Sequence, residues 1–182
     1  LVRELKNLIK SFRAKGKEFD KIIKMGRTQL QDAVPMTLGQ EFEAFAVTLE
    51  EEVSRLNEMA RLFLEVNMGA TAIGTGICSE PEYSEKCIAA LRQITGWDIK
   101  LAEDLVAATS DTSCMVGYSS ALRRVAVKLN KICNDLRLLG SGPRCGLHEF
   151  DLPARQPGSS IMPGKVNPVI PEVMNQICYK VI

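Results

Sequence analysis

The sequence predicts an all-α protein, a long-helix bundle that assembles into an oligomeric helical core. Apolar residues recur every three or four positions over most of the chain, two of these patterns are long, and no segment shows the alternation typical of a strand. With 182 residues, of which 46% are hydrophobic and 25% charged, the chain has the size and composition of one folded domain. We therefore expect a single helical domain over residues 1–182.

The first predicted helix runs from residue 1 to about residue 25. Its apolar positions are Val2, Leu5, Leu8, Ile9, Phe12, Phe19, Ile22 and Ile23. Met25 and Gly26 end the pattern, and a polar segment follows as far as Pro35. The pattern starts without an N-cap and the last helical pattern stops abruptly at Ile182, so we expect an excerpt of a longer protein.

The second predicted helix, residues 37–65, has a nearly heptad apolar stripe. The stripe consists of Leu38, Phe42, Phe45, Leu49, Val53, Leu56, Ala60 and Phe63. Thr37 and Gln40 form a capping-box pair at its start. At 1.5 Å per residue this helix would be about 40 Å long, which favours a bundle shared between subunits.

Five further segments complete the expected fold. They are a glycine-rich connection at 69–76, helices at about 83–95 and 103–139, an irregular stretch at 144–168 and a last helix from Pro168. The glycine-rich connection is interpreted as a flexible or tightly turned link between helices, because a phosphate-binding loop would follow a strand.

Charge and composition argue against several classes of function. Lysine and arginine number 23 against 22 acidic residues, so the net charge of +1 offers no excess to a nucleic acid. No apolar run is long enough to cross a membrane. The six cysteines form no CxxC pair, which argues against a zinc site and a disulfide framework. We expect reduced thiols, a cytoplasmic location, and neither nucleic acid nor membrane as partner.

The most unusual segment is the loop Gly158–Pro168, which reads Gly-Ser-Ser-Ile-Met-Pro-Gly-Lys-Val-Asn-Pro. Its glycines allow backbone N–H groups to approach a ligand, and its serines and asparagine add neutral donors. Lys165 adds a compact positive charge suited to a carboxylate, and Pro168 stands where a helix can begin. Composition alone leaves open a mobile surface loop.

Three other features have a structural explanation as well as a functional one. The segment Gly26–Pro35 is rich in donors and acceptors, yet it could be a capped turn in which Asp32 hydrogen-bonds its own backbone. His148, the single histidine, is interpreted as a solvated or packing residue. The run Glu50–Glu52 is interpreted as a solvated helix face.

Together these segments resemble the aspartase/fumarase superfamily. Gly158–Asn167 resembles its signature loop, Gly26–Pro35 a second shared block, and Gly69–Gly76 the glycine-rich turn between them. The resemblance covers the whole chain but only the central part of family members, which are much longer. It is strongest to the aspartate ammonia-lyases, because Gln29 stands where fumarases usually carry His, and the segment 108–112 lacks a second His common in fumarases.

The resemblance implies a carbon–nitrogen lyase that converts L-aspartate reversibly to fumarate and ammonia. By the family pattern, Ser159 is the base that takes the proton from C3, and the carbanion is held as an aci-carboxylate. Ser160, Lys165 and Asn167 would bind the substrate from the signature loop. Thr28 and Gln29 would contact it from the second block. Catalysis would then depend on donors placed around developing negative charge.

The same resemblance implies a homotetramer in which each active site takes its motifs from three subunits. It implies no organic cofactor and leaves a divalent metal activator open. The family's first motif, a Ser/Thr/Asn-rich block, is absent from this chain, so we expect the chain alone to lack activity.

Two alternatives remain. One is a fumarate hydratase of the same superfamily. The other is a non-catalytic helical assembly module, which composition and heptads alone would suggest. The signature loop argues against such a module, because a structural bundle has no need of two serines, a lysine and an asparagine in a Gly/Pro loop.

Overall fold

A computed structural model describes all residues from Leu1 to Ile182 and shows a mostly helical chain. The helices in chain order are α1 (Val2–Glu18), α2 (Leu38–Arg61), α3 (Tyr83–Thr95), α4 (Leu105–Ser110), α5 (Ser113–Leu139) and α6 (Val169–Val181). The strands are β1 (Ile23–Thr28), β2 (Gln31–Thr37), β3 (Glu65–Val66) and β4 (Lys100–Leu101), and a 3₁₀ turn covers Leu62–Leu64. The expected helical class is confirmed, with two small two-stranded sheets added to it.

The chain divides into two compact units. Unit 1 contains residues 1–54 and 122–182, and unit 2 contains residues 55–121. Both polar segments singled out in the sequence, Gly26–Pro35 and Gly158–Pro168, lie in unit 1. None of the helices combines the length and the apolar character needed to cross a membrane.

The core of unit 1 is organised around aromatic side chains. The ring of Phe42 in α2 packs edge-on against Phe12 of α1 and against Phe19, which directly follows that helix, with centroids 6.0 and 5.3 Å apart. It also lies 6.0 Å from Phe150 and 5.7 Å from Phe45. Each such pair contributes about 1 kcal/mol beyond the burial of its area. The cluster joins α1, α2 and the segment that follows α5.

The helix ends show which sequence signals operate. The predicted capping box is present: Gln40 N donates to Thr37 Oγ1 at 3.1 Å, and Thr37 N donates to Gln40 Oε1 at 2.9 Å. The helix predicted at 103–139 is divided into α4 and α5. Asp111, between them, accepts hydrogen bonds from N and Oγ of Ser113, so a local side-chain contact starts a new helix.

Unit 2 contains the glycine-rich segment 69–76, which turns tightly. Its three glycines at positive φ have angles from +68° to +99°. A Cβ at Gly74 would lie 2.4 Å from the backbone of Leu105 and Val106, so only glycine fits at this position. This geometry supports the interpretation of the segment as a tight connection. The expectation that it lies between helices and not after a strand is wrong, because the two-residue strand β3 precedes it. The helix α3 ends as expected, at Gly96 in the left-handed conformation.

All six cysteines are free thiols, as the sequence predicts. Cys133 on α5 and Cys178 on α6 are buried. Burial raises the pKa of the Cys133 thiol to about 11 and also raises the pKa of Cys178. Both therefore stay protonated at neutral pH and pack as small hydrophobic side chains.

A buried carboxylate joins α2 to α5. Glu52 is fully buried, accepts a hydrogen bond from Arg124 at 2.8 Å and lies 2.6 Å from Nζ of Lys128, which also donates to Glu51. The hydrogen bond from Arg124 lowers the pKa of Glu52, against the opposing effect of burial. The interpretation of the run Glu50–Glu52 as a solvated face is therefore wrong for Glu52, whose side chain faces α5.

A β-hairpin at residues 23–37 is the main departure from the expected fold. The strands β1 and β2 pair antiparallel, and α1 ends at Glu18 instead of about residue 25. The hairpin carries apolar residues outward: Ile23 is 78% and Val34 65% exposed, whereas the side chain of Lys24 is 8% exposed. The expectation of no strand was wrong here, because a strand that buries charge does not show the usual apolar alternation.

A bulge interrupts the hairpin near its middle. The register shifts between Met25 and Arg27, where β2 contributes Ala33 and Val34 opposite the single residue Gly26. A Cβ at Gly26 would lie 2.9 Å from the carbonyl oxygen of Val34. The bulge increases the local twist, which changes the direction of the side chains beyond it.

Replacing Glu52 with Gln should lower the free energy of unfolding by about 2 kcal/mol at neutral pH, because Arg124 and Lys128 lose their buried counter-charge. Arg124 is 55% exposed, so water recovers part of the loss. Folding lowers the pKa of Glu52, so its contribution is present above the pKa of an unfolded carboxyl, about 4.3, and disappears as the pH falls through the lower folded value. Urea denaturation at neutral and strongly acidic pH checks this, and an equal difference at both would contradict it.

Replacing Gly26 with Ala should destabilise the protein by about 1–2 kcal/mol, because the new methyl group would press on a backbone oxygen that has little freedom to move. Gly117→Ala is the matched control. Its Cβ would meet the flexible Sδ of Met59 at 3.3 Å, and alanine in a helix gains up to about 1 kcal/mol over glycine. Thermal unfolding of both variants checks the prediction, and a G26A protein as stable as wild type would show it to be wrong.

Candidate active site

The loop between α5 and α6 holds the serine predicted to be the catalytic base. Oγ of Ser159 accepts hydrogen bonds from the backbone N–H groups of Ile161 and Met162, both at 3.3 Å. Donors aimed at one hydroxyl oxygen favour its deprotonated form, because they stabilise the negative charge. Ser159 is half-buried, whereas its neighbour Ser160 is exposed.

The backbone folds this loop back on itself. Ser159 N donates to the carbonyl oxygen of Lys165 at 3.2 Å, and Lys165 N donates to that of Met162 at 3.1 Å. Gly164 has a φ of +84°, and a Cβ at Gly158 would lie 3.1 Å from the oxygen of Lys165. The two glycines thus allow Ser159 and Lys165 to approach each other.

Lys165 and Asn167 line a cavity of about 620 Å³. Its other polar side chains are Arg137, Ser141, His148, Asp151 and Glu172. The cavity therefore combines two permanent cations with two carboxyl groups and several neutral donors. Its volume is ample for a small amino acid or dicarboxylate.

His148 has a place in this cavity that its sequence does not indicate. Its Nε2 lies 2.9 Å from Oδ1 of Asp151, and its backbone, with a φ of +45°, donates to Ser141 at 2.8 Å. The side chain is 41% exposed, so it is a solvated residue as interpreted from the sequence, and it shares the cavity with Lys165.

Arg137 is held at the cavity by a buried amide that sequence reasoning missed. Asn175 of α6 is 2% exposed, accepts a hydrogen bond from Nη1 of Arg137 at 3.1 Å and donates to the carbonyl oxygen of Asn130 at 3.1 Å. Arg137 also lies 3.8 Å from Glu172. The available signal was an asparagine within the apolar pattern of the last helix.

Thr28 and Gln29 lie at the tip of the hairpin, where both are exposed. Gln29 and Leu30 form its two-residue turn, with φ angles of +52° and +63°. Turns of this type normally select Asn and Gly, because each left-handed residue with a side chain costs about 1–2 kcal/mol. The hairpin therefore holds a predicted substrate contact in a strained backbone conformation.

The structure brings some of the predicted site residues together and leaves others apart. Lys165 and Asn167 share the cavity, and Ser159 is joined to Lys165 through the backbone. The cavity lining does not include Ser159, Ser160 or the two residues at the hairpin tip. Within one chain the predicted residues do not surround a common space.

A buried ion cluster along strand β1 of the hairpin was also missed. Glu149 accepts a hydrogen bond from Nη1 of Arg27 and lies 2.7 Å from Nζ of Lys24, which in turn donates to Glu41 of α2. Burial would raise the pKa of Glu149, but the ion pair with Lys24 and the hydrogen bond from Arg27 outweigh it and lower the pKa. No sequence motif marks this cluster, because Arg27 and Glu149 are 122 positions apart.

No group of three or more His, Cys, Asp or Glu side chains is placed to hold a metal ion. The absence of an organic cofactor stays a prediction. Whether a divalent metal activates the protein stays an open question.

The whole chain, residues 1–182, matches the protein family described as lyase. Over its full length the chain is 61% identical to an aspartate ammonia-lyase of Corynebacterium glutamicum and 59% identical to one of Escherichia coli (strain K12). It spans only 34% and 38% of the length of these two relatives.

Two solved structures are similar to this one. A fumarate lyase:delta crystallin from Brucella melitensis bound to cobalt has a TM-score of 0.95 at 63% identity, covering 98% of this chain and 39% of that one. A class II fumarase from Schistosoma mansoni has a TM-score of 0.94 at 36% identity, covering 99% of this chain and 41% of that one. From the family match and these similarities, the chain belongs to the lyase family and so to the aspartase/fumarase superfamily.

Proposed function

We propose that the protein carrying this chain is an aspartate ammonia-lyase of the cytoplasm, which converts L-aspartate reversibly to fumarate and ammonia. Identities of 59% to 61% to relatives of that name support the proposal. The observation that carries it is the environment of Ser159. Its hydroxyl oxygen accepts hydrogen bonds from two backbone N–H groups, and the same loop holds Lys165.

In the proposed reaction Ser159, as the alkoxide, takes the proton from C3 of aspartate. The C3–H bond breaks, and its electron pair moves into the adjacent carboxylate, which becomes the doubly negative aci-carboxylate. That pair then forms the double bond between C2 and C3 while the C2–N bond breaks and ammonia leaves. Because serine is a weak base in water, the N–H groups of Ile161 and Met162 supply stabilisation that the alkoxide needs.

Lys165 and Asn167 are the residues that we assign to the substrate carboxylate. The ammonium group of Lys165 would meet the growing negative charge, and Asn167 would add neutral donors. Ser160 would contribute through the loop backbone. Thr28 and Gln29 would contact the substrate from a hairpin tip, which in this proposal belongs to another copy because the tip does not line the same cavity.

A homotetramer is part of the proposal, supported by apolar side chains that the chain leaves uncovered. Ile170, Val173, Ile177 and Val181 of α6 are between 44% and 57% exposed. Their spacing of three and four residues places them on one face of the helix. Association buries such a face, and it would also allow a hairpin tip of one copy to complete the cavity of another.

Fumarate hydratase is the second candidate, favoured by the similarity to the Schistosoma mansoni class II fumarase. Both reactions begin with proton abstraction beside a carboxylate, but one releases ammonia and the other water. Incubation of the full-length protein with aspartate and, separately, with malate, while fumarate absorbance is followed, separates them. Fumarate from malate alone would replace our proposal with the second candidate, and no fumarate from either would favour a non-catalytic helical module.

In the full-length protein, Ser159→Ala should lower kcat by about 10²–10⁴-fold and leave the fold intact, because a base acts only in the transition state. Steady-state kinetics with aspartate and circular dichroism check this. Ser54→Ala, at an exposed serine of α2, is the matched control. Near-normal turnover in S159A would place the base elsewhere, and an unfolded S159A protein would show that the loop has a structural role.

Lys165→Ala should differ from the serine variant in its kinetic signature. Its charge meets the substrate carboxylate in both the ground state and the transition state, so KM should rise along with a loss of rate. Lys10→Ala, at an exposed lysine of α1, controls for the loss of a positive charge. The same assay at varied aspartate concentration measures both constants, and an unchanged KM would remove Lys165 from the substrate site.

A further inference from the structure

We propose that Glu149 is a positioning residue of the active site. Its carboxylate fixes the hairpin that carries Thr28 and Gln29 against the segment that leads into the signature loop. The proposal rests on the proposed function for its effect on catalysis, whereas the contacts themselves do not depend on that function.

On its own side of the contact, Glu149 projects from a firmly held backbone. Its N–H group donates to the carbonyl oxygen of Leu139 at the end of α5, at 2.9 Å. The next residue, Phe150, packs its ring 6.0 Å from Phe42 in the core of unit 1. The carboxylate is therefore presented to the hairpin from a fixed point.

On the hairpin side, the carboxylate binds β1 at two places. Oε1 accepts a hydrogen bond from Arg27, near the end of the strand, and Oε2 lies 2.7 Å from Nζ of Lys24, near its start. The side chains of Lys24 and Glu149 are 8% and 13% exposed, so water competes little for these contacts. Two attachment points on one strand fix its direction as well as its position.

The hairpin has little else to hold its direction. It consists of two strands, which alone are marginally stable, and several of its apolar side chains face outward. At its base Leu38 N donates to the oxygen of Ile22 at 2.8 Å, and Lys24 bonds Glu41, but both contacts lie at the end opposite to the tip. The strained turn at Gln29 would relax once the strand beneath it is released.

Arg27 is the contact that matters most for the tip, because Thr28 follows it directly. Apart from Glu149, the carboxylate that pairs directly with Arg27 is that of Asp32, at 3.6 Å, whose side chain is 76% exposed. Loss of the Glu149 charge would therefore leave Lys24 paired with Glu41 but leave Arg27 with a weak, solvated partner. The end of β1 that carries the substrate contacts is the end that would move.

Glu149→Gln in the full-length protein tests the proposal, because it keeps the side-chain shape and removes the charge. We expect kcat/KM for aspartate to fall about 10–100-fold, since displacement of a substrate-binding group by about 1 Å can cost 10²-fold. We also expect faster amide hydrogen exchange across residues 23–37. Glu52→Gln is the matched control, because it removes another buried carboxylate held by two cations but touches α5 instead of the hairpin. The Glu52→Gln variant should be less stable, but its kcat/KM for aspartate and its amide exchange across residues 23–37 should be unchanged.

A double variant separates positioning from a general structural role. If Glu149 acts through the hairpin tip, Glu149→Gln should lower kcat/KM less than about 3-fold when Gln29→Ala is already present, because the two losses are then not additive. Equal losses in both backgrounds, or the same loss in E52Q, would overturn the proposal. If E149Q does not fold, Arg27→Lys, which keeps the charge and shortens the reach, provides the same comparison.

Hydrogen exchange distinguishes failure of this proposal from failure of the proposed function. A full-length protein that converts neither aspartate nor malate would remove the proposed function and leave the exchange measurement valid. Unchanged exchange in E149Q would overturn the positioning role whatever the protein catalyses.

Discussion

The ring of Phe42 is the contact on which the rest of unit 1 depends. It meets aromatic rings from α1, from its own helix and from the segment after α5. The partner after α5 is Phe150, whose neighbour in the chain is Glu149. The packing that closes the core therefore also places a carboxylate against strand β1 of the hairpin, so that an apolar contact determines where a buried charge lies.

The helices could be predicted because their apolar stripes are what the core buries. Leu38, Leu49 and Leu56 of the predicted stripe are at most 3% exposed, and the capping box at Thr37 starts the helix where expected. The prediction fails towards the end of the predicted helix 37–65. There the chain forms a 3₁₀ turn, and Phe63 is 42% exposed. Periodicity identifies the face of a helix, but local turn geometry decides where that helix ends.

The hairpin could not be predicted from apolar alternation, because ion pairs hold it where a hydrophobic face normally would. In the sequence, Lys24 and Arg27 look like ordinary surface charges. Only the fold places Glu149 beside them. The same limit applies to the cavity, where Arg137 depends on an amide from a different helix. The residues expected to meet a substrate lie in short recognisable segments, whereas the residues that hold those segments are scattered along the chain and become visible only in three dimensions.

The turn at Gln29 and Leu30 also has a consequence for protein engineering. A glycine at Leu30, which has no assigned substrate contact, would adopt the observed backbone angle without the cost that leucine bears there. Gln29 offers no such freedom, because the residue that strains the turn is also one that we assign to the substrate. Adjacent positions of one hairpin thus differ in evolvability. A substitution at Leu30 can increase thermal stability without affecting activity, whereas a substitution at Gln29 changes both together.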